Sequence, residues 1–160
     1  MYKKKIISLI IFFLIILLGA FVHKNNNTYR KNNNFDFSNI SVNDKRVILF
    51  NKKINHGKVL KVVEENLTDD GKKELIVVYK KNKEQNEMVV ISDSKGEIYI
   101  TKPIKAPKEN IDIKFKNIDN KGVMEMIVSG SKNGKIGYAV YRLENKNLID
   151  LFGEGMNDCC

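Results

Sequence analysis

Cys159 and Cys160 are the last two residues of the 160-residue sequence and its only cysteines. With no third cysteine, neither can join a framework disulfide within the chain. A bond between the two neighbours is possible but strained. Disulfides prefer Cα–Cα separations of about 4.4–6.8 Å, and strain makes them easily reduced; consecutive Cα atoms lie only about 3.8 Å apart. The pair is therefore expected to return readily to the dithiol. Thiolates are soft ligands that select soft metals. Two sulfurs alone suit an ion content with low coordination, such as Hg(II) or Cu(I), whereas zinc usually takes four ligands. Asp158 and the terminal carboxylate flank the thiols, and like charges raise a thiol pKa. A self-activated nucleophile is thus not expected, because reactive cysteines have a cation or a helix N-terminus beside them. Metal capture, in which the metal displaces the protons, fits better. Thiols without a role, or an intermolecular disulfide, are the plain alternatives.

Few other residues offer chemistry. Met156 could add a thioether to a soft metal, but a tail methionine with no role is the simpler reading. His23 and His56 are read as solvated surface residues, with no Ser or Asp at a catalytic spacing. Gly71, Gly96, Gly122 and Gly134 read as turn glycines, not as a phosphate-cradling motif. The net charge is +9, of which Lys3, Lys4, Lys5 and Lys24 supply four. The remaining charge is spread out, without the basic stripe and motif of a nucleic-acid binder.

The elements that must position these residues lie in 46–152, which read as an all-β domain. Short runs rich in Val, Ile, Tyr and Phe fall at 46–50, 58–65, 74–80, 87–92, 97–101, 111–116, 125–130, 136–142 and 148–152. Asp-Asp-Gly, Ser-Lys-Gly, Asn-Gly and Asn-Lys-Asn separate several of them, which is antiparallel hairpin chemistry. An internal repeat is visible at an offset of 51 residues, from Asn66–Val77 onto Asn117–Val128. Extended without a gap, it gives ten identities across the 36 positions 66–101. Each unit holds four strands, the size of a propeller blade, and two units are too few to close a propeller. The expected fold is two blade-like antiparallel repeats, with 46–50 as an extra edge strand. The tail 153–160 is expected to be mobile.

The loops between the first two strands of each unit resemble those of FG-GAP or VCBS repeats, which bind calcium through Asp-x-Asp-x-Asp-Gly. That resemblance implies a calcium site at Asn66, Thr68, Asp70, Gly71 and Glu74, with weak ligands at two positions. In the second unit Lys121 stands where an acid is needed, and a cation there opposes Ca²⁺. An Asx-type turn leading into a strand explains both loops without a metal.

At the other end, Lys3-Lys4-Lys5 precede an uncharged run of 17 residues, Ile6–Val22. This is the short end of what spans a bilayer as a helix. The positive-inside rule keeps the lysines in the cytoplasm and exports the rest. Leu18-Gly19-Ala20 is a poor cleavage site, so residues 1–24 read as an uncleaved single-pass signal anchor. Residues 25–45 contain eight Asn in 21 positions and read as a flexible tether, spanning roughly 25 Å as a coil.

An N-terminal anchor, a small exported domain and the terminal Cys159-Cys160 together resemble SaoC, the Cys-Cys-COOH (seleno)protein family of the selenocysteine-assisted organometal system. The resemblance implies handling of organometals, mercury compounds foremost; the protein is not expected to be an enzyme by itself. It places the functional pair on Cys159 and Cys160 and on no other residue. Some members carry selenocysteine, whose readier ionisation this all-cysteine tail lacks. The implied partners are an organomercurial-lyase-like protein, a thioredoxin-like protein and transporters. The expectation is therefore an extracellular, membrane-anchored protein that binds a soft metal and relays it. The alternatives are a β-repeat envelope or adhesion protein holding calcium, and a thiol–disulfide exchange partner of a thioredoxin-like protein.

Overall fold

The computed structural model describes residues 40–94 and 96–160. The expected anchor, and the tether as far as residue 39, lie outside these. The chain enters through a helix, α1 (Lys45–Lys53). Nine strands follow: β1 (Val59–Glu65), β2 (Glu74–Lys80), β3 (Asn86–Ser94), β4 (Glu97–Ile100), β5 (Ile104–Ala106), β6 (Glu109–Lys116), β7 (Glu125–Lys132), β8 (Lys135–Glu144) and β9 (Asn147–Glu154). A terminal helical turn, α2 (Met156–Cys159), closes the chain.

Two antiparallel sheets result. Sheet A runs β1-β2-β3-β4, with β5 also paired to β3; sheet B runs β6-β7-β8-β9. The turns follow from residues that tolerate positive φ. Asn133 (φ 51°) and Gly134 (φ 80°) join β7 to β8, and Asn145 (φ 48°) and Lys146 (φ 63°) join β8 to β9. The expected all-β domain is present in its coarse form, two antiparallel sheets, with three corrections to its elements. Residues 46–50 are not an edge strand but lie within α1. Asp44 caps that helix by accepting from the Arg46 N–H at 2.8 Å, which satisfies an otherwise orphaned donor. Val47 and Phe50, three residues apart, are its buried side chains, which is helical spacing. Arg46 ties the helix down through Glu64 at 2.7 Å and the Lys73 carbonyl at 2.6 Å. The second correction is β5, a three-residue strand set between Pro103 and Pro107. The third is the tail, where Gly153 and Glu154 continue β9 and the closing turn α2 buries Cys159.

The 51-residue correspondence is built into the backbone. Asp69 and Asn120 both have positive φ, as do Gly71 and Gly122. The Leu67 N–H donates to Glu74 and the Ile118 N–H to Glu125, each at 2.7 Å. The offset is not gap-free, however. Lys80 pairs with Asn86 across the first hairpin, whereas its counterpart Ser131 pairs with Ile136. The second hairpin is one residue shorter, so β3 maps onto β8 at an offset of 50, and Val90, not Val89, corresponds to Val140. A bulge in β9 opposite Val140 and Tyr141 restores the offset at Phe152.

The sheets stack in the same sense. One face of sheet A (Leu67, Ile76, Val78, Met88, Val90) packs with Ile113, Met126, Val128, Ala139, Tyr141 and Leu143 of sheet B in a single core. On the opposite face of sheet A, Leu75, Val77, Tyr79, Val89 and Ile91 are wholly buried. There Phe50 of α1 meets the Tyr79 ring edge-on at 5.5 Å. The face of sheet B that corresponds to the covered face of sheet A is open. Leu67 is 1% exposed and Ile118 47%; Met88 is 0% and Tyr138 38%; Thr101 is 3% and Phe152 54%.

Candidate metal centre

The site is assembled where the chain leaves β9 and packs over Gly137 of β8. Gly155 adopts a left-handed conformation (φ 68°) and turns the chain out of β9. The Asp158 and Cys159 N–H groups then donate to the Gly155 carbonyl at 3.1 and 3.2 Å, closing one helical turn. The residue beneath that turn is Gly137 of β8. A Cβ there would lie 2.6 Å from the Gly155 carbonyl carbon and oxygen and 2.8 Å from Cys159 Sγ. The missing side chain is the space in which the thiol sits. The connection between the sheets forms another wall. Asn86, itself buried, holds it by donating to the Pro107 carbonyl at 2.8 Å. The Lys108 N–H donates in turn to the Cys159 carbonyl at 3.0 Å.

This packing brings three sulfur atoms together. Cys159 Sγ and Cys160 Sγ are 3.3 Å apart. Met156 Sδ lies 3.7 Å from the first and 4.0 Å from the second. The i, i+3, i+4 spacing of one helical turn places all three on one side. Cys159 is fully buried, Cys160 is half-buried, and Met156 packs against the shared core. The sequence reading of Met156 as a tail residue without a role missed this; its helical spacing to Cys159 and Cys160 was the available signal.

Burial, followed by the hydrogen bond and charge of Cys159, pushes the Cys160 thiol up to about 12, while Lys105 and Lys132 pull the other way. Desolvation, and to a lesser degree the nearby Asp150 and thiols, raises Tyr141 to about 12. Asp158, expected to disfavour the thiolates, is instead drawn to Lys135 at 3.7 Å. Cys160 is therefore a protonated thiol near neutrality, with Lys105 and Lys132 favouring its ionised form.

The other sequence candidates lie elsewhere. Glu74 is buried and accepts from the Leu67 N–H, Thr68 Oγ1 and Ser92 Oγ. Asp70 accepts from the Lys72 N–H at 2.9 Å, an Asx turn, and from Ser94 Oγ. Asn66 Oδ1 accepts weakly from the Thr68 N–H. In the second loop Lys121 pairs with Asp119, and Arg142 reaches both Asp119 and the buried Glu125. His56 stacks on Phe50 at 4.5 Å and contacts Asn51 Oδ1 at 3.1 Å, so it packs beside α1 and is not simply solvated. A cavity of about 300 Å³, lined by Ile118, Asp119, Glu125, Val140, Arg142, Leu151 and Phe152, opens on the face of sheet B away from the thiols. Among the described residues, no group of three or more His, Cys, Asp or Glu side chains is placed to hold a metal. No described helix is long and apolar enough to cross a membrane. Compared with known proteins, the chain matches no family model, no curated protein and no solved structure.

Proposed function

We propose that the protein captures a soft metal or organometal, a mercury compound foremost, between Cys159 and Cys160 and passes it to a partner. The observation that carries this reading is the convergence of the two Sγ atoms at 3.3 Å, in a turn seated on Gly137. A dithiol held together chelates with less loss of conformational freedom than two independent thiols, which is the advantage of preorganisation. Capture of Hg(II) forms two S–Hg bonds and releases two protons to solvent, so the high thiol pKa limits spontaneous ionisation without preventing binding. The half-exposed Cys160 is the natural first point of attack by an incoming metal, and buried Cys159 completes the chelate. Hand-over proceeds in reverse, with an incoming thiol displacing Cys160 first.

The rest of the chain serves to present this tail. Residues 1–24 anchor it to the cell membrane as a single pass, and the β domain lies outside. The same-sense stacking of two four-stranded units supports a blade-like repeat that carries the site at one end. Transfer to lyase-like, thioredoxin-like or transporter partners belongs to the same reading.

The test is a titration of the reduced full chain, in mild detergent, with Hg(II) and a phenylmercury salt against a competing monothiol, followed by native mass spectrometry. One mercury retained per chain, and lost when both cysteines become Ser, is the expected result. Binding no tighter than that of two unlinked thiols overturns the proposal.

A further inference from the structure

We infer that Met156 is a third donor of this site, and that the substrate engaging all three sulfurs is monovalent copper, Cu(I). The inference rests on the proposed role of the cysteine pair in soft-metal capture and names a metal that role extends to.

With a metal–sulfur bond of about 2.3 Å, as for zinc thiolates, a linear two-sulfur ion needs sulfurs about 4.6 Å apart and a trigonal three-sulfur ion about 4.0 Å. The observed separations are 3.3, 3.7 and 4.0 Å. Both methionine distances already suit a trigonal ion. The thiol pair must open by about 0.7 Å for that geometry but by about 1.3 Å for a linear one. Cys159 Sγ has little room to retreat, since it lies over Gly137 with its carbonyl held by Lys108. Thiolate and thioether together are a donor set that selects Cu(I). Asp158, the nearest carboxylate in sequence, is turned to Lys135, so the cluster offers hard ions little.

Charge agrees with this assignment. Binding Cu(I) forms three Cu–S bonds and releases two thiol protons to solvent, with no change in copper oxidation state. Two thiolates and one Cu(I) leave a net charge of −1. Lys105 and Lys132 act favourably on the ionised Cys160, and an anionic centre is stabilised by such neighbours.

The experiment uses the reduced full chain, Cu(I) held by a coloured chelator, and Hg(II) in a parallel competition. Met156→Leu, which conserves volume and packing, is expected to weaken Cu(I) by at least about tenfold and to change Hg(II) by less than about threefold. X-ray absorption of the Cu(I)-loaded wild type is expected to count three sulfurs in the first shell, a readout that does not depend on how the variant folds. Equal Cu(I) affinity in Met156→Leu, or two sulfurs in the wild-type shell, overturns the role of Met156 and leaves the cysteine chelate standing. Retention of both metals after Cys159→Ser and Cys160→Ser together overturns both readings.

Discussion

Gly137→Ala is the most direct perturbation of the site, because it alters no sulfur and no charge. The added Cβ would stand 2.6 Å from the Gly155 carbonyl and 2.8 Å from Cys159 Sγ. Favourable carbon contacts lie near 3.5–4.0 Å, so the turn must rise by about 1 Å. Such a shift strains the bond from the Lys108 N–H to the Cys159 carbonyl, 3.0 Å long, and opens the enclosure of Cys159. Inserting a methyl into a packed site costs about 1–3 kcal/mol. For a domain of this size that corresponds to a melting temperature lower by about 4–12 °C. Two assays read the outcome: thermal unfolding by circular dichroism, and the rate at which a chromogenic disulfide reagent attacks the slower thiol. The slower thiol, Cys159, is expected to react about tenfold faster once the turn lifts, since access controls thiol reactivity. A melting temperature within 1 °C of wild type, together with unchanged thiol rates, would refute the packing of α2 over β8.

The remaining predictions concern the sheets and the titrating groups. Leu67→Ala is expected to cost about 2–5 kcal/mol, and its counterpart Ile118→Ala less than about 1 kcal/mol; equal losses in chemical denaturation would contradict the same-sense stacking. Arg142→Ala leaves the Glu125 carboxylate buried without its cation and lowers the melting temperature. Adding Glu125→Gln should recover part of that loss, because an uncompensated buried charge is the main penalty. Burial raises the Cys160 thiol from 9.0 to about 12, so the folded state favours the protonated form. That contribution is complete below pH 9 and is lost as the pH rises toward 12, and Cys160→Ser should flatten the alkaline fall in stability. Asp44 is held below its ordinary 3.8 chiefly by the Arg46 hydrogen bond. Its contribution is present above pH 3.8 and is lost as the pH falls further, so Asp44→Asn should flatten the acid limb.

What the sequence made legible was local, and what it hid was non-local. The β-hairpins could be read because Asn133-Gly134 and Asn145-Lys146 supply positive φ where the strands reverse. The repeat could be read because Gly71 and Gly122, and Glu74 and Glu125, serve the same turn in each unit. Helix α1 was hidden by its own composition: Val47, Ile48, Leu49 and Phe50 form a run that suits either a strand or a helix. Only the Asp44 cap, the Val47–Phe50 spacing and the terminal Lys52-Lys53 favoured helix. The gap-free repeat failed at the second hairpin, where one fewer residue moves Tyr138 and Val140 into the places of Met88 and Val90. The closing Cys-Cys was visible at once, but its setting was not. What seats the turn is the absence of a side chain at Gly137, 22 residues before Cys159, and a carbonyl bond to Lys108 in the inter-sheet connection. Neither leaves a trace in the tail's own composition, which reads as a flexible Gly-rich end. The same packing holds Met156 Sδ beside the thiols, so the third sulfur and the ordered tail stand or fall together. If Gly137→Ala frees the turn, it should also reduce Cu(I) binding toward the Met156→Leu level while leaving both cysteines intact. Cu(I) binding preserved in Gly137→Ala, with the turn lifted, would separate the sulfur cluster from the sheet that positions it.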